Sequence, residues 1–407
     1  MKPLGEDRPY PARTERLPRY LKDVTPEWLE GILANKYPGI ALRDYEVLET
    51  KNSHTTKVRV RLDLNEVGRA AGIPEQVCLK ANWSGLRTGL ICEREARFYH
   101  LISEGLSAPV PAVYYADWDA DGNGNGLVVM EDLTASAGIF GTSDDSLGVD
   151  GVAAGLASLA AVHGALWGDP RLDAFEWLAP SMGTDNDTEQ VIEYWEYIQF
   201  NLTQPEYEAV VPRWVYETPE LMNHALDELS AFERELPPPR GLVHGDAHQG
   251  NSFLRADGQR VWVDWQLVRK GSPWRDVSYF LCSSLTVEER RSADRDLVEE
   301  YRQRLIATGA EGVLSRDEAW EHFRRWPAYA TQAWLGNINQ WGQRNGVEMV
   351  KRHFAASDDY DTVELLTKGK QPRRPFVPGE GALPLAPALQ EQVDARPGAS
   401  GAITTRR

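Results

Sequence analysis

Asp246, Asn251 and Asp264 carry side-chain oxygen atoms that could serve a reaction. Residues 251 to 264 read Asn-Ser-Phe-Leu-Arg-Ala-Asp-Gly-Gln-Arg-Val-Trp-Val-Asp, two alternating stretches around Asp257-Gly258, a dipeptide suited to a two-residue hairpin turn. Such a turn pairs Ala256 with Gln259 and sets Asn251 opposite Asp264. Opposed side chains lie roughly 4.5–5.5 Å apart at Cβ. An amide oxygen and a carboxylate at that separation suit a hard cation such as Mg2+; taken alone they are equally two polar residues facing water at the open end of a hairpin. Asp246 lies five residues upstream in Leu242-Val-His-Gly-Asp-Ala-His-Gln-Gly-Asn251 and adds a carboxylate able to accept a proton from a bound hydroxyl. A proton acceptor beside a cation-binding pair is the division of labour that phosphoryl transfer requires.

Elements on both sides must hold these residues in place. Val58 to Leu64 alternates with period two, Gln76 to Lys80 is a short apolar run ending in lysine, and Ala112 to Ala116 and Leu127 to Met130 flank a Gly/Asn/Asp loop, so an antiparallel sheet is predicted. Between the second and third of these, Leu90 to Glu104 carries Ile91, Phe98, Leu101 and Ile102 at helical spacing. Beyond Met130 the pattern is helical: Val152 to Trp167, Glu189 to Leu202, Pro219 to Leu236, Val287 to Thr308 and Asp317 to Gly346. The prediction is an α+β chain of two lobes, a small antiparallel β N-lobe with one helix (1–130) and a larger, mainly helical C-lobe (131–368), followed by a Pro/Gly-rich tail (369–407).

Composition narrows the partners. The 407 residues carry 61 Asp plus Glu against 44 Lys plus Arg, a formal net charge of -17, which repels nucleic acid and anionic membrane surfaces. Between Leu172 and Pro239 there are 15 acidic residues and two basic ones, Arg213 and Arg234, so 2 - 15 = -13 of that charge falls there. Cys78, Cys92 and Cys282 have no disulfide or C-x-x-C spacing, the N-terminus has no signal-peptide core, and no stretch approaches the apolar run of a membrane helix; a cytoplasmic location is expected. Asp119-Ala-Asp-Gly-Asn-Gly-Asn starts like a calcium loop, but Met130 stands where a bidentate Glu is needed, and it reads as a hairpin loop. Walker, G-x-S-x-G and H-E-x-x-H motifs do not occur.

As a set, His244-Gly-Asp246, Asn251 thirteen residues before Asp264, Val263-Asp-Trp-Gln266 and Arg275-Asp-Val277 resemble the catalytic loop and metal-binding segment of the aminoglycoside phosphotransferase and choline kinase-like superfamily. With Glu95-Ala-Arg-Phe-Tyr99 and Met130-Glu-Asp-Leu133, the sequence is most similar to the ecdysteroid-kinase-like branch, over roughly residues 45 to 345. The resemblance implies a bilobal protein-kinase-like fold and an ATP- and Mg2+-dependent transfer to a small-molecule hydroxyl. Asp246 would be the catalytic base or hydroxyl-orienting group, Asn251 and Asp264 the magnesium ligands, and Lys80 the lysine on the ATP phosphates. Lys80 then needs a glutamate from the following helix. Glu95 shares the inward stripe with Ile91, Phe98 and Ile102 whereas Glu93 points elsewhere, and a glutamate on a buried stripe demands a partner. Met130, Glu131 and Asp132 match the connector whose backbone binds adenine. The expected phosphate loop, Thr50-Lys-Asn-Ser-His-Thr-Thr56, contains no glycine, so the hydroxyls of Ser53, Thr55 and Thr56 would stand in for Gly-rich backbone. His244 is expected to hold the loop, Asp276 to support it, His163 to pack within its helix, and His248 to be either near the acceptor or simply solvated.

The acceptor is expected against the acidic helices before Asp246. Tyr194, Trp195, Tyr197 and Phe200, with Trp320, Trp326, Trp334 and Trp341 later, suit a flat or polycyclic alcohol; the carboxylates suit a polyamine. Three readings therefore stand: a kinase of a hydrophobic or polycyclic alcohol, an aminoglycoside or other antibiotic O-phosphotransferase, and a nucleotide-binding pseudokinase without turnover. The local charge predicts a neutral or cationic acceptor.

Overall fold

The computed structural model describes residues 16–52, 55–83, 90–106, 109–119, 121–178, 195, 197–336 and 343–376. Thr25 accepts the Trp28 N–H and Pro26 takes the first position of α1 (Pro26–Ala34), where a missing N–H costs nothing. Five antiparallel strands follow: β1 (Leu42–Asn52), β2 (Thr56–Leu64), β3 (Gln76–Ala81), β4 (Val113–Trp118) and β5 (Gly126–Glu131), ordered β1-β2-β3-β5-β4. A short α2 (Glu66–Ala70) bridges β2 to β3, and α3 (Ile91–Arg97) runs on into a π-turn at Phe98–Ile102. Alternation in β2 sends Val58, Val60 and Leu62 into the small-lobe core with Leu79 and Val129. Lys57, Arg59 and Arg61 take the other face, opposite Lys80, Cys78 and Gln76 on β3.

The larger lobe begins with β6 (Gly138–Phe140) and α4 (Gly148–Ala165). Contrary to the sequence expectation, α4 is long and apolar enough to cross a membrane. Here it is a packed helix: Gly155 meets the Phe280 ring so closely that a Cβ would fall 2.3 Å from it, and a Cβ on Gly164 would likewise run into Thr308. Helices α5 (Pro205–Glu208), α6 (Arg213–Glu217) and α7 (Glu220–Glu235) lead to β7 (Gly241–Val243), β8 (Ser252–Arg255), β9 (Arg260–Trp262) and β10 (Arg269–Gly271). After them come α8 (Trp274–Ser284), α9 (Val287–Ala307), α10 (Arg316–Phe323), α11 (Pro327–Leu335), α12 (Gln343–Asp359) and α13 (Thr362–Thr367). Thr286 with Glu289 and Ser315 with Glu318 form reciprocal capping boxes that start α9 and α10.

Two expectations are corrected here. The predicted helix Asp317 to Gly346 is divided, because Pro327 cannot continue α10 and instead opens α11. The segment after 368, expected as tail, starts as part of the fold: Lys370 and Arg373 reach Glu228 at 2.8 and 2.6 Å, and Arg374 reaches Asp227 at 2.8 Å. Residues 377–407 lie outside the described residues, as do Ser53, Glu189, Tyr194 and Trp341.

Candidate active site

The β8–β9 hairpin differs by one residue from the sequence expectation. Gly258 adopts φ +86° and donates to Arg255 O at 3.0 Å, closing a three-residue turn, Ala256 to Gly258, in place of the two-residue one. Ser252 therefore pairs with Trp262, and Asn251 O accepts the Val263 N–H at 3.0 Å. Asn251 is opposite Val263, not Asp264. A one-residue slip turns side chains to the other face, and the left-handed backbone of Asp264, φ 67°, breaks the alternation and re-aims its carboxylate.

That carboxylate meets two ammonium groups. Lys80 Nζ lies 2.6 Å from Asp264 Oδ1 and Lys57 Nζ 2.9 Å from Oδ2. Lys80 also contacts Glu95 Oε2 at 2.6 Å, and the Trp265 N–H donates to Glu95 Oε1 at 3.1 Å. The expected Lys80–Glu95 pair is present and almost fully buried, whereas Glu93 turns to Arg97 at 2.8 Å. Burial works to raise the Asp264 pKa, but Lys57 and Lys80 hold it far below the carboxylate range. For Glu95 burial prevails over Lys80 and the pKa is raised.

Asn251 Nδ2 donates to both the carbonyl and Oδ2 of Asp246, each at 2.9 Å. Burial, with the charge of Asp264 adding to it, pushes the Asp246 pKa up to about 6. Backbone geometry fixes this loop. Gly245 has φ +84°, and a Cβ there would lie 2.0 Å from Leu267 O, so only glycine fits. Asp276 accepts the His244 N–H at 2.6 Å and the Gly245 N–H at 2.9 Å. Behind it, His163 Nε2 lies 3.0 Å from Asp276 and Nδ1 2.8 Å from Tyr301 OH. His244 Nε2–H donates to Val263 O at 2.8 Å, leaving Nδ1 to accept the Asp246 N–H at 3.2 Å. Burial lowers its pKa, which suits this neutral, structural imidazole.

At the connector, Glu131 accepts from Arg255 at 2.7 Å and from the Ala112 N–H at 3.2 Å, while Asp132 binds Arg59 at 2.9 Å and caps the turn at Thr134. Met130 is paired with Cys78 and buried. These side chains brace the two lobes and leave only backbone to a ligand. Thr56 lies on the core face of β2 with its hydroxyl donating to Asn52 at 3.0 Å.

Residues 89–320, more than half of the chain, match the model of the phosphotransferase enzyme family. The chain belongs to that family. No curated protein matches it. Among solved structures, one provisionally named an aminoglycoside phosphotransferase, from Ralstonia eutropha, aligns at 15% identity over 83% of this chain and 98% of its own, with a TM-score of 0.50. A choline/ethanolamine kinase family protein from Mesorhizobium loti aligns at 14% identity over 84% of this chain and 97% of its own, TM-score 0.42. An ethanolamine kinase from Plasmodium vivax aligns at 9% identity over 79% and 81%, TM-score 0.42. The first of these supports the kinase-like phosphotransferase fold.

In this phosphotransferase, sequence reasoning missed two parts of the site. Lys57 was legible as a polar position of an alternating strand, but its acid partner is 207 residues away. The Tyr301–His163–Asp276 relay had no local signal, because α4, α8 and α9 meet only in the folded chain. The surroundings of His248 are also decided by the fold. Trp334 and Tyr279 flank His248, with ring centroids 5.3 and 5.9 Å away, and His248 Nε2 is 3.9 Å from Asp246. His248 is thus buried beside the site, and burial lowers its pKa to about 4. Trp326 is buried in the main hydrophobic core, and Trp320 packs against it.

Proposed function

We propose that the protein transfers the γ-phosphoryl group of ATP to a hydroxyl of a small, neutral, largely apolar molecule, with Mg2+ as cofactor and in the cytoplasm. The acceptor would be a polycyclic alcohol, as the resemblance to the ecdysteroid-kinase-like branch implies. One observation carries this reading: Lys80 joins Glu95 and Asp264 at 2.6 Å each, directly beside the Asp246–Asn251 pair. That is the set of groups phosphoryl transfer needs to position a polyphosphate and an alcohol together.

Asn251 and Asp264 would hold the Mg2+. The donor chemistry fits: both offer oxygen, and with Nδ2 of Asn251 committed to Asp246, its Oδ1 is oriented away from that carboxylate. Among the described residues no group of three or more His, Cys, Asp or Glu gathers, which suits an ion held largely by substrate phosphates. The chemistry that Mg2+ supplies when bound is neutralisation of phosphate charge. Asp246 orients the acceptor hydroxyl and takes its proton as the oxygen attacks phosphorus, and Lys80 holds the phosphate oxygens.

A neutral acceptor is favoured over a polyamine by the fate of the acids. Asp227 and Glu228 are neutralised by Arg374, Lys370 and Arg373, and Glu233 is buried, accepting the Ser272 N–H at 2.8 Å. Next to Asp246 stands His248 instead, its ring against Tyr279 and Trp334. A nucleotide-binding protein without turnover is the second reading, favoured by the two ammonium groups that cover Asp264. ATP-to-ADP conversion across hydroxylated steroids, macrolides and aminoglycosides, with and without EDTA, separates them. Steroid-like alcohols should accelerate ADP release and EDTA should stop it; nucleotide binding without acceleration by any alcohol favours the second reading, and activity retained in EDTA sinks the metal assignment.

A further inference from the structure

Strand register places three lysines in one row across the small lobe. Lys51 on β1 is opposite Lys57 on β2, and Lys57 is opposite Lys80 on β3. Directly opposed residues share a face, and neighbouring strands are about 4.8 Å apart, so the ammonium groups form a line that grades from buried Lys80 through half-buried Lys57 to exposed Lys51. Like charges in direct opposition are destabilising. At Lys57 and Lys80 the repulsion is relieved by Asp264, which binds both. A cation on Asp264 would remove that relief, leaving Lys80 its contact with Glu95 and releasing Lys57 from its carboxylate partner.

We propose that Lys57 is a second phosphate-binding residue and that the row Lys51–Lys57–Lys80 grips the polyphosphate chain in place of a glycine-rich loop; this rests on the ATP-dependent reading above. The physical reason is complementary. The sequence between β1 and β2 has no glycine to bring backbone N–H groups close to phosphate, and the Thr56 hydroxyl is committed to Asn52 on the core face. Side-chain ammonium groups on the cleft face supply the positive charge that the backbone does not. Lys57 exchanges its partner, from Asp264 to phosphate, when nucleotide and metal enter together.

The test is equilibrium binding of ATP, inorganic tripolyphosphate and adenosine to the full chain, in EDTA and in Mg2+, for wild type, Lys57→Met, Lys57→Gln and Lys57→Arg. Lys57→Met and Lys57→Gln should each lose about tenfold or more in affinity for ATP and tripolyphosphate, keep wild-type adenosine affinity, and be largely restored by Lys57→Arg. An unchanged ratio of ATP to adenosine affinity in both neutral variants overturns the proposal, as does an equal loss of both ligands, which marks Lys57 as only the structural counter-ion of Asp264. Wild type that binds adenosine and tripolyphosphate no better than buffer overturns the ATP-dependent reading itself.

Discussion

Trp265 ties the helix that carries Glu95 to the segment that carries Asp264: its N–H donates to Glu95 Oε1 at 3.1 Å, and its ring stacks on Phe98 one turn along, centroid to centroid 4.0 Å. Displacing α3 would therefore break the Lys80 contacts and the backbone at residue 264 together. Glu95→Ala should destabilise the protein by about 2–3 kcal/mol in urea unfolding at pH 7. This lies below the roughly 3–5 kcal/mol of a broken buried pair because Lys80 keeps Asp264 as a partner. A change under about 0.5 kcal/mol would contradict the linkage.

As the proposed acceptor of the hydroxyl proton, Asp246 should set the acid limb of the pH–rate profile. With its pKa pushed up to about 6, turnover should fall as pH drops through 6, where the carboxyl gains a proton and can no longer accept one. Asp246→Asn should lower kcat by about 10²–10⁴-fold. Its effect on stability has the opposite sign. A carboxyl whose folded pKa is raised favours the folded state below its ordinary value near 4 and loses that advantage as pH rises through 6. Asp246→Asn should therefore melt higher than wild type at pH 7, by on the order of 1 kcal/mol, with the gap closing below pH 4. Equal melting at both pH values would refute the burial argument.

Removing the Asp276 carboxylate leaves the His244 and Gly245 N–H groups without their acceptor in a buried loop. At roughly 1–3 kcal/mol for each orphaned donor, Asp276→Ala should cost about 3 kcal/mol and abolish turnover by loosening Asp246. Burial raises the Asp276 pKa, but His163 holds it below the ordinary value. Its stabilising contribution is thus complete above about pH 4 and is lost only as pH falls further. Unfolding followed from pH 7 to pH 3 checks the order.

The strap Lys370–Arg374 should matter for stability more than for chemistry. Lys370→Ala with Arg373→Ala leaves Glu228, 3% exposed, without its two cations. Because both cations are nearly half exposed, solvent screening holds the expected loss to about 1 kcal/mol, read from thermal unfolding. The Glu228 pKa, raised by burial but lowered overall by Arg373 and Lys370, makes that contribution present above about pH 4.5 and lost on acidification.

Trp334→Ala should raise KM for the acceptor alcohol and leave KM for ATP unchanged, because the ring borders His248, beside which the acceptor is proposed to bind. Equal changes in both constants would place Trp334 in structural packing only.

Much of this was decided by the sequence alone. Period two in residues 58 to 64, the strand ending at Lys80, the inward stripe of Glu95, Phe98 and Ile102, and the spacing of Asp246, Asn251 and Asp264 are local patterns, and local patterns determine strands, helix faces and which residues sit in one loop. Register was legible only to within one residue, since Asp257-Gly258 admits a two- or three-residue turn and only the bond from the Arg255 N–H to Gln259 O, at 2.8 Å, decides between them. What tertiary structure decided are meetings between distant segments: Lys57 and Lys80 on Asp264, His163 behind Asp276, and Arg373 on Glu228. Each joins residues more than a hundred positions apart, and a charge carries no sequence mark of the partner that will neutralise it. The acids of α7 show the consequence: their charge predicted a neutral or cationic acceptor, and the fold pairs Asp227 and Glu228 with cations of the chain itself.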